Sequence, residues 1–146
     1  MNSLVVIEDN RGKVHRMSKE AIVGAQILGG DVFALVIGGN ASSLSSDLSS
    51  LQLAQILVVE DNLVSTYNAD GYAEVVSQIV KLMNIDVIIA GHTYQTRDYM
   101  PRVSAKLDIP FISDIVGIDQ DLYIKQVLNA KLNSSISCSI SSKILS

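Results

Sequence analysis

The chain is punctuated by short, almost purely apolar runs, Leu4–Ile7, Val32–Ile37, Ile56–Val59 and Val87–Ala90, each leading through a polar turn into a stretch with helical spacing. Runs of this length without polar alternation fit strands buried on both faces, and strands of that kind belong to parallel sheets covered by helices. Strand and helix in repeated succession therefore predict a three-layer, mainly parallel, doubly wound α/β domain. A chain of 146 residues with 48% hydrophobic content can bury such a core as a single domain, residues 1–146, without disulfide staples.

Local signals divide the chain further. Ser18 is a candidate N-cap with Glu20 in the first helical turn, and Gly29-Gly30 stops that helix after Leu28. Gly38-Gly39-Asn40 leads into a serine-rich helix over 42–51, in which Leu44, Leu48 and Leu51 recur at helical spacing. Asn68 or Asp70 caps a third helix, whose stripe of Val75, Val76, Ile79, Val80 and Met83 ends at Asn84. After Pro110 the pattern changes. Phe111–Ile118, Tyr123–Leu128 and Lys131–Ile140 follow one another with turns too short for a helix, so they pair antiparallel. In the last of them Leu132, Ile136, Cys138 and Ile140 alternate with polar residues, as in a strand buried on one face.

The stretch Asp86–Pro110 holds the first place to look for a site. Its strand stops at Gly91, and the polar loop Gly91–Arg97 then lies at the carboxyl edge of the sheet, where open α/β domains bind ligands. The cleft candidates are His92, Thr93, Gln95, Thr96 and Arg102. His92 would need a carboxylate to act as acid or base, and Asp98 is the one near it in sequence; the alternative is a solvated or helix-capping histidine. Thr93, Gln95 and Thr96 offer hydroxyl and amide groups to a ligand or, equally, to the helix N-terminus. Pro101 belongs in a first turn, which moves the start of the helix to about Asp98–Met100, or else it marks a kink. Arg102 suits an ion pair with Asp108 or Asp114.

Several function classes lack support. A net charge of −4 with no basic run does not favour nucleic acid. Two separated histidines and one cysteine give no metal-ligand spacing. Cys138 in an alternating pattern reads as a packed thiol. The N-terminus has no basic region before its apolar run, and no apolar segment approaches a membrane span. Glu8-Asp9 and Glu60-Asp61 read as pairs that solvate strand ends. There is no GxGxxG and no GxxxxGK[ST], and Gly38-Gly39 reads as a tight strand exit, since no Lys, Arg or further glycine makes it a phosphate cradle.

Gly91-His92-Thr93, Pro101-Arg102-Val103, Leu107-Asp108 and Ser113-Asp114, in this order, resemble the late part of the N-terminal domain of the electron transfer flavoprotein alpha subunit. Leu128-Asn129-Ala130 falls where that family carries an Asn-Ala turn. The residues before Pro101 depart from the family by being polar and bulky: Gln95, Arg97, Asp98 and Tyr99. The resemblance implies an adenine nucleotide alpha hydrolase-like fold and a scaffold that docks to the beta subunit. The intact heterodimer passes electrons from dehydrogenases through FAD, held by a C-terminal domain with no counterpart here. It implies no cofactor in this chain alone, no catalysis of its own, and a cytoplasmic location in a bacterium or the mitochondrial matrix in a eukaryote. The isolated chain would be free to form a homodimer. A stand-alone nucleotide-binding module of the universal-stress type is the alternative, although the glycine-rich phosphate loop of such modules is missing from Gly91-His92-Thr93-Tyr94-Gln95.

Overall fold

The computed structural model describes residues 1–146. Its first apolar run forms β1 (Asn2–Ile7), whose side chains alternate between two cores. Leu4 and Val6 enter one and Val5 and Ile7 the other, all four buried. A small hairpin, β2 (Asp9–Asn10) and β3 (Lys13–Val14), leads into α1 (Arg16–Leu28). There follow β4 (Asp31–Ile37), α2 (Ala41–Leu48), β5 (Gln55–Val59), α3 (Ala69–Met83), β6 (Val87–Ala90) and α4 (Tyr94–Leu107). The C-terminal part comprises β7 (Phe111–Ile112), β8 (Ile115–Asp119), β9 (Leu122–Val127), β10 (Leu132–Ser137) and β11 (Lys143–Leu145).

Six parallel strands make the main sheet in the order β5-β4-β1-β6-β11-β7. The chain moves outward from β1 through β4 to β5, then returns to place β6 on the other side of β1. Buried residues of α1 and α2 share a core with Val5, Ile7, Val36 and Ile89, whereas those of α3 and α4 share one with Leu4, Val6, Leu35 and Ile88. The helices thus lie on both faces, and the strand order reverses between β1 and β6. The carboxyl ends of these two strands define the crevice that such topologies open.

The α/β class and the antiparallel C-terminal strands match expectation, but their arrangement does not. Phe111–Ile118 is not one strand. Asp114 takes a left-handed conformation, φ 60°, and splits it into β7, which joins the main sheet, and β8, which leaves it. β8, β9 and β10 form a separate sheet. Tyr123 of β9 enters the core on the α1 side, with Ile115, Ile118, Ile136 and Cys138 packed against it, so this small sheet covers β6 and β11 where a helix would otherwise lie. The expected one-sided strand is also incomplete: β10 ends at Ser137, Cys138 follows it half-buried, and Leu132 and Ile140 are exposed. Leu128, Asn129 and Ala130 form the turn between β9 and β10, all three at positive φ. The chain then returns as β11, between β6 and β7, a strand that sequence periodicity does not reveal.

Helix boundaries shift as well. The N-cap of α1 is His15, whose Nδ1 accepts from the Met17 N–H, while Ser18 and Glu20 lie inside the helix. The second helix ends at Leu48, leaving Leu51 outside. Asn68 caps α3 through the Gly71 N–H at 2.7 Å, and Asn84 ends it in the left-handed conformation. The largest correction is α4, which starts at Tyr94 and carries Pro101 in its interior. An interior proline costs about 3 kcal/mol. Burial of Tyr99, Met100 and Val103 on the inner face outweighs that, at roughly 1.5–3 kcal/mol for a large apolar side chain. Pro101 and Arg97, whose carbonyl loses its helical partner, are both exposed to water.

Candidate functional site

At the reversal point the loop after β6 meets the end of β1. Thr93 caps α4, its Oγ1 accepting from the Thr96 N–H at 3.1 Å. The same hydroxyl donates to Glu8 Oε2, a short bond across the crevice. Glu8 is held in turn, because its N–H donates to the buried Ser18 Oγ of α1 at 2.9 Å. The crevice is therefore closed from within by a carboxylate standing at the N-terminus of α4. A carboxylate there is favoured by the helix dipole, and its charge opposes the approach of a phosphate to the same helix end.

The N-terminus of α2 on this edge also meets a carboxylate, here through a backbone donor. Glu60, after β5, accepts from the Ser42 N–H in the first turn of α2 at 2.7 Å, and this bond holds its carboxyl below the usual carboxylate range. Asp61 accepts from the Leu63 N–H at 2.8 Å and Asp9 from the Gly12 N–H at 2.6 Å. Asp9, Glu60 and Asp61 thus accept from backbone N–H groups and Glu8 from the Thr93 hydroxyl, so these pairs do not merely solvate strand ends. Gly38 is the tight exit read from the sequence. It sits at φ +129°, and a Cβ there would lie 3.4 Å from the Tyr72 hydroxyl, which donates to the Ile37 carbonyl at 2.9 Å.

Behind the crevice, Tyr67, Tyr72 and Tyr99 pack edge-on, with ring centroids 4.9, 5.6 and 6.4 Å apart. Burial, with a smaller contribution from the nearby Asp9 and Glu8 carboxylates, pushes the Tyr72 phenol up to about 12. Burial raises Tyr99 and Tyr67 as well, and Tyr67 also donates to Asp98 Oδ2 at 2.7 Å, which favours its neutral form.

The sequence-derived candidates do not converge on one point. Thr93 and Thr96 meet at the α4 cap, Oγ1 to Oγ1 at 3.3 Å. Gln95 follows Thr93 in the first turn, half-buried, its carbonyl 3.5 Å from the Tyr67 hydroxyl. His92 does not bond Asp98, the carboxylate an acid or base role would have needed; Asp98 accepts from Tyr67. The His92 Nδ1 lies 2.8 Å from Ser146 Oγ, just past β11. Burial lowers the His92 pKa, partly opposed by the Asp114 charge. Arg102 pairs with neither Asp108 nor Asp114 but with Asp70 of α3 at 2.9 Å, beside a second interhelical pair, Lys106 to Glu74. Glu8 and Ser146 are the residues that sequence reasoning missed. Glu8 could have been found from its place directly after the first strand on the ligand-binding edge; Ser146 gives no such signal.

A groove of about 510 Å³ opens beyond His92, between α1 and β8, with Ile89, Gly91 and Leu145 in its lining. Its walls are largely apolar. No group of His, Cys, Asp and Glu is arranged to hold a metal ion. No helix is long and apolar enough to cross a membrane. At the sheet edge Glu8 and Glu60 place negative charge beside the N-termini of α4 and α2, which disfavours a phosphate at either helix end.

Comparison with known proteins gives a consistent answer. The Electron transfer flavoprotein domain family matches residues 3–142. The chain is similar to "Electron transfer flavoprotein subunit alpha" of Bacillus subtilis, 32% identical over 117 residues, covering 79% of this chain and 36% of that protein. It is 31% identical over 143 residues to the protein of the same name from Thermoanaerobacterium thermosaccharolyticum, covering 92% of this chain and 43% of that one. It is also 28% identical to the "Probable electron transfer flavoprotein subunit alpha, mitochondrial" of Schizosaccharomyces pombe, covering 92% and 40%. The matches thus span well under half the length of these curated relatives.

Proposed function

The chain belongs to the electron transfer flavoprotein family, and on that premise we propose that it is the scaffold and subunit-docking domain of an alpha subunit. Its relatives named as alpha subunits are more than twice as long as the matched region, and FAD, on this reading, is held by a part of the subunit that this chain does not contain. The chain pairs with a beta subunit, and the assembled heterodimer passes electrons from dehydrogenases through that flavin. By itself the domain is neither a redox carrier nor a catalyst.

One observation carries the reading: the reversal-point crevice is bridged by the bond from Thr93 to Glu8. A domain that grips a cofactor through this edge needs free backbone donors or cations aimed at phosphate. Here the Thr93 hydroxyl at the α4 cap and the Ser42 N–H of α2 are taken by the chain's own carboxylates, and Arg102 pairs with Asp70. The same observation weighs against a nucleotide-binding module of the universal-stress type. What is left for the fold to offer is surface.

The purified chain is expected to show no visible flavin band and no heat of binding with AMP or ATP, yet to form a complex with the beta subunit of the same source. A stoichiometric flavin spectrum, or tight calorimetric binding of either nucleotide, would overturn the scaffold reading in favour of a cofactor site in this domain.

A further inference from the structure

We infer that the groove between α1 and β8 is the seat of the paired subunit, and that it receives an extended apolar segment carrying at least one lysine or arginine. This rests on the docking role proposed above and locates it.

α1 is apolar on two sides. Ala21, Ile22 and Ala25 face inward and are buried, which accounts for the helix within the fold. Val23 and Ile27, one turn apart, line the groove instead and are 54% and 66% exposed. Val116 of β8 lines it as well and is 58% exposed. Val23, Ile27 and Val116 thus gather around one open cleft and are not scattered singly over the surface.

Gly24 points the same way. It lies between Val23 and Ile27 in the groove lining, in the interior of α1, and a Cβ built on it meets nothing within 4 Å. Glycine weakens a helix interior relative to alanine, and no contact inside the chain requires it here. An occupant brought close to the helix backbone does require it.

β8 supplies the edge for an extended segment. It pairs only with β9, so its opposite side offers unpaired main-chain groups. Its first residue is tied by the Ile115 N–H to the Ser146 carbonyl at 2.8 Å, which holds this strand against the end of the main sheet, beside the groove. The register shift between Ile115 and Gly117 leaves Val116 as a bulge residue, the kind of irregularity that re-aims a side chain. A strand added to such an edge takes its affinity from main-chain bonds and its specificity from side chains set into the neighbouring groove.

Charge selects the occupant. The ionised side chains lining the groove are Glu20 and Asp114, with no lysine or arginine among them. Asp114 makes no salt bridge, and Glu20 has only the exposed i,i+4 pair with Arg16, which competes weakly. A basic residue flanking an apolar segment complements both.

Binding of the beta subunit to the 146-residue chain, measured by calorimetry for the wild type and for Gly24→Ala and Val116→Lys, tests this. Gly24→Ala should melt at or above the wild-type temperature yet bind at least about fivefold more weakly, the low end of the effect of overfilling a packed contact. Val116→Lys, on the exposed strand edge, should keep the fold and weaken binding further. If the wild type binds and both variants bind equally well, the groove is not the seat and this inference falls while the docking role stands. If the wild type does not bind a folded beta subunit, the docking role falls and the inference with it. If sedimentation shows a homodimer that Gly24→Ala dissociates, with affinity for the beta subunit unchanged, the occupant is a second copy and the inference is again overturned.

Discussion

Glu8, at the end of β1, and Thr93, at the cap of α4, are joined side chain to side chain across the point where the strand order reverses. The bond ties the two halves of the sheet edge together and sets a carboxylate where an open α/β domain would receive an anion.

That bond should be visible as a coupling energy. Thr93→Ala removes both the helix cap and the donor to Glu8, and loss of a cap costs about 0.5–2 kcal/mol. Glu8→Ala removes the acceptor alone. Urea unfolding of the two single variants and the double variant should return a favourable interaction of about 0.5–3 kcal/mol, the range for residues in one hydrogen-bond network. Additive effects would mean that the bond contributes nothing to stability.

Gly91 is needed for a close approach of chain to chain. A Cβ there would lie 2.5 Å from Met17 Cβ and 3.0 Å from the Met17 carbonyl carbon, so α1 would have to move off the end of β6. Gly91→Ala should lose roughly 1–3 kcal/mol in thermal or chemical denaturation, as for other overpacked sites. A variant as stable as the wild type would show that the seam between β6 and α1 yields easily.

Stability should fall on mild acidification. Burial holds the His92 imidazole below its ordinary value of about 6.5. As pH drops through that value the unfolded chain takes up a proton that the folded chain does not, and stability declines until the folded imidazole is protonated too. Urea midpoints measured from neutral to mildly acidic pH should show this slope, and His92→Gln should flatten it. An unchanged slope would assign it to another group.

At the alkaline end, the Tyr72 phenol lies at about 12 because it is buried near Asp9 and Glu8. The unfolded phenol ionises near 10, so stability should decline as pH rises from there towards the folded value. Ultraviolet titration should show this phenol ionising late, and Tyr72→Phe should remove that step. The variant should also lose about 0.5–1.5 kcal/mol through the bond to the Ile37 carbonyl.

Much of the architecture was legible along the chain. The runs at 4–7, 32–37 and 87–90 are apolar on both faces because layers cover both sides of the sheet, and hydrophobicity records that directly. Asn84 ended its helix as read, and Thr93 took the capping role open to it. β11 was illegible because three residues carry no period, and their place between β6 and β7 depends on contacts distant in sequence. The start of α4 was misplaced because proline propensity is a local rule, and the burial that overrides it is decided by α3 and the sheet.

By itself, then, the sequence determined the class of fold, the order of its main layers and the family kinship, since periodicity and short ordered motifs are properties of neighbours along a chain. Tertiary structure alone decided that Glu8 meets Thr93, that His92 meets Ser146 and not Asp98, and that a second sheet leaves an open seam beside α1. Residues 85 and 54 positions apart are brought within bonding distance by the crossover that reverses the sheet and by the late insertion of β11. No local pattern encodes either step, because each is selected by how much apolar surface the whole chain can bury at once.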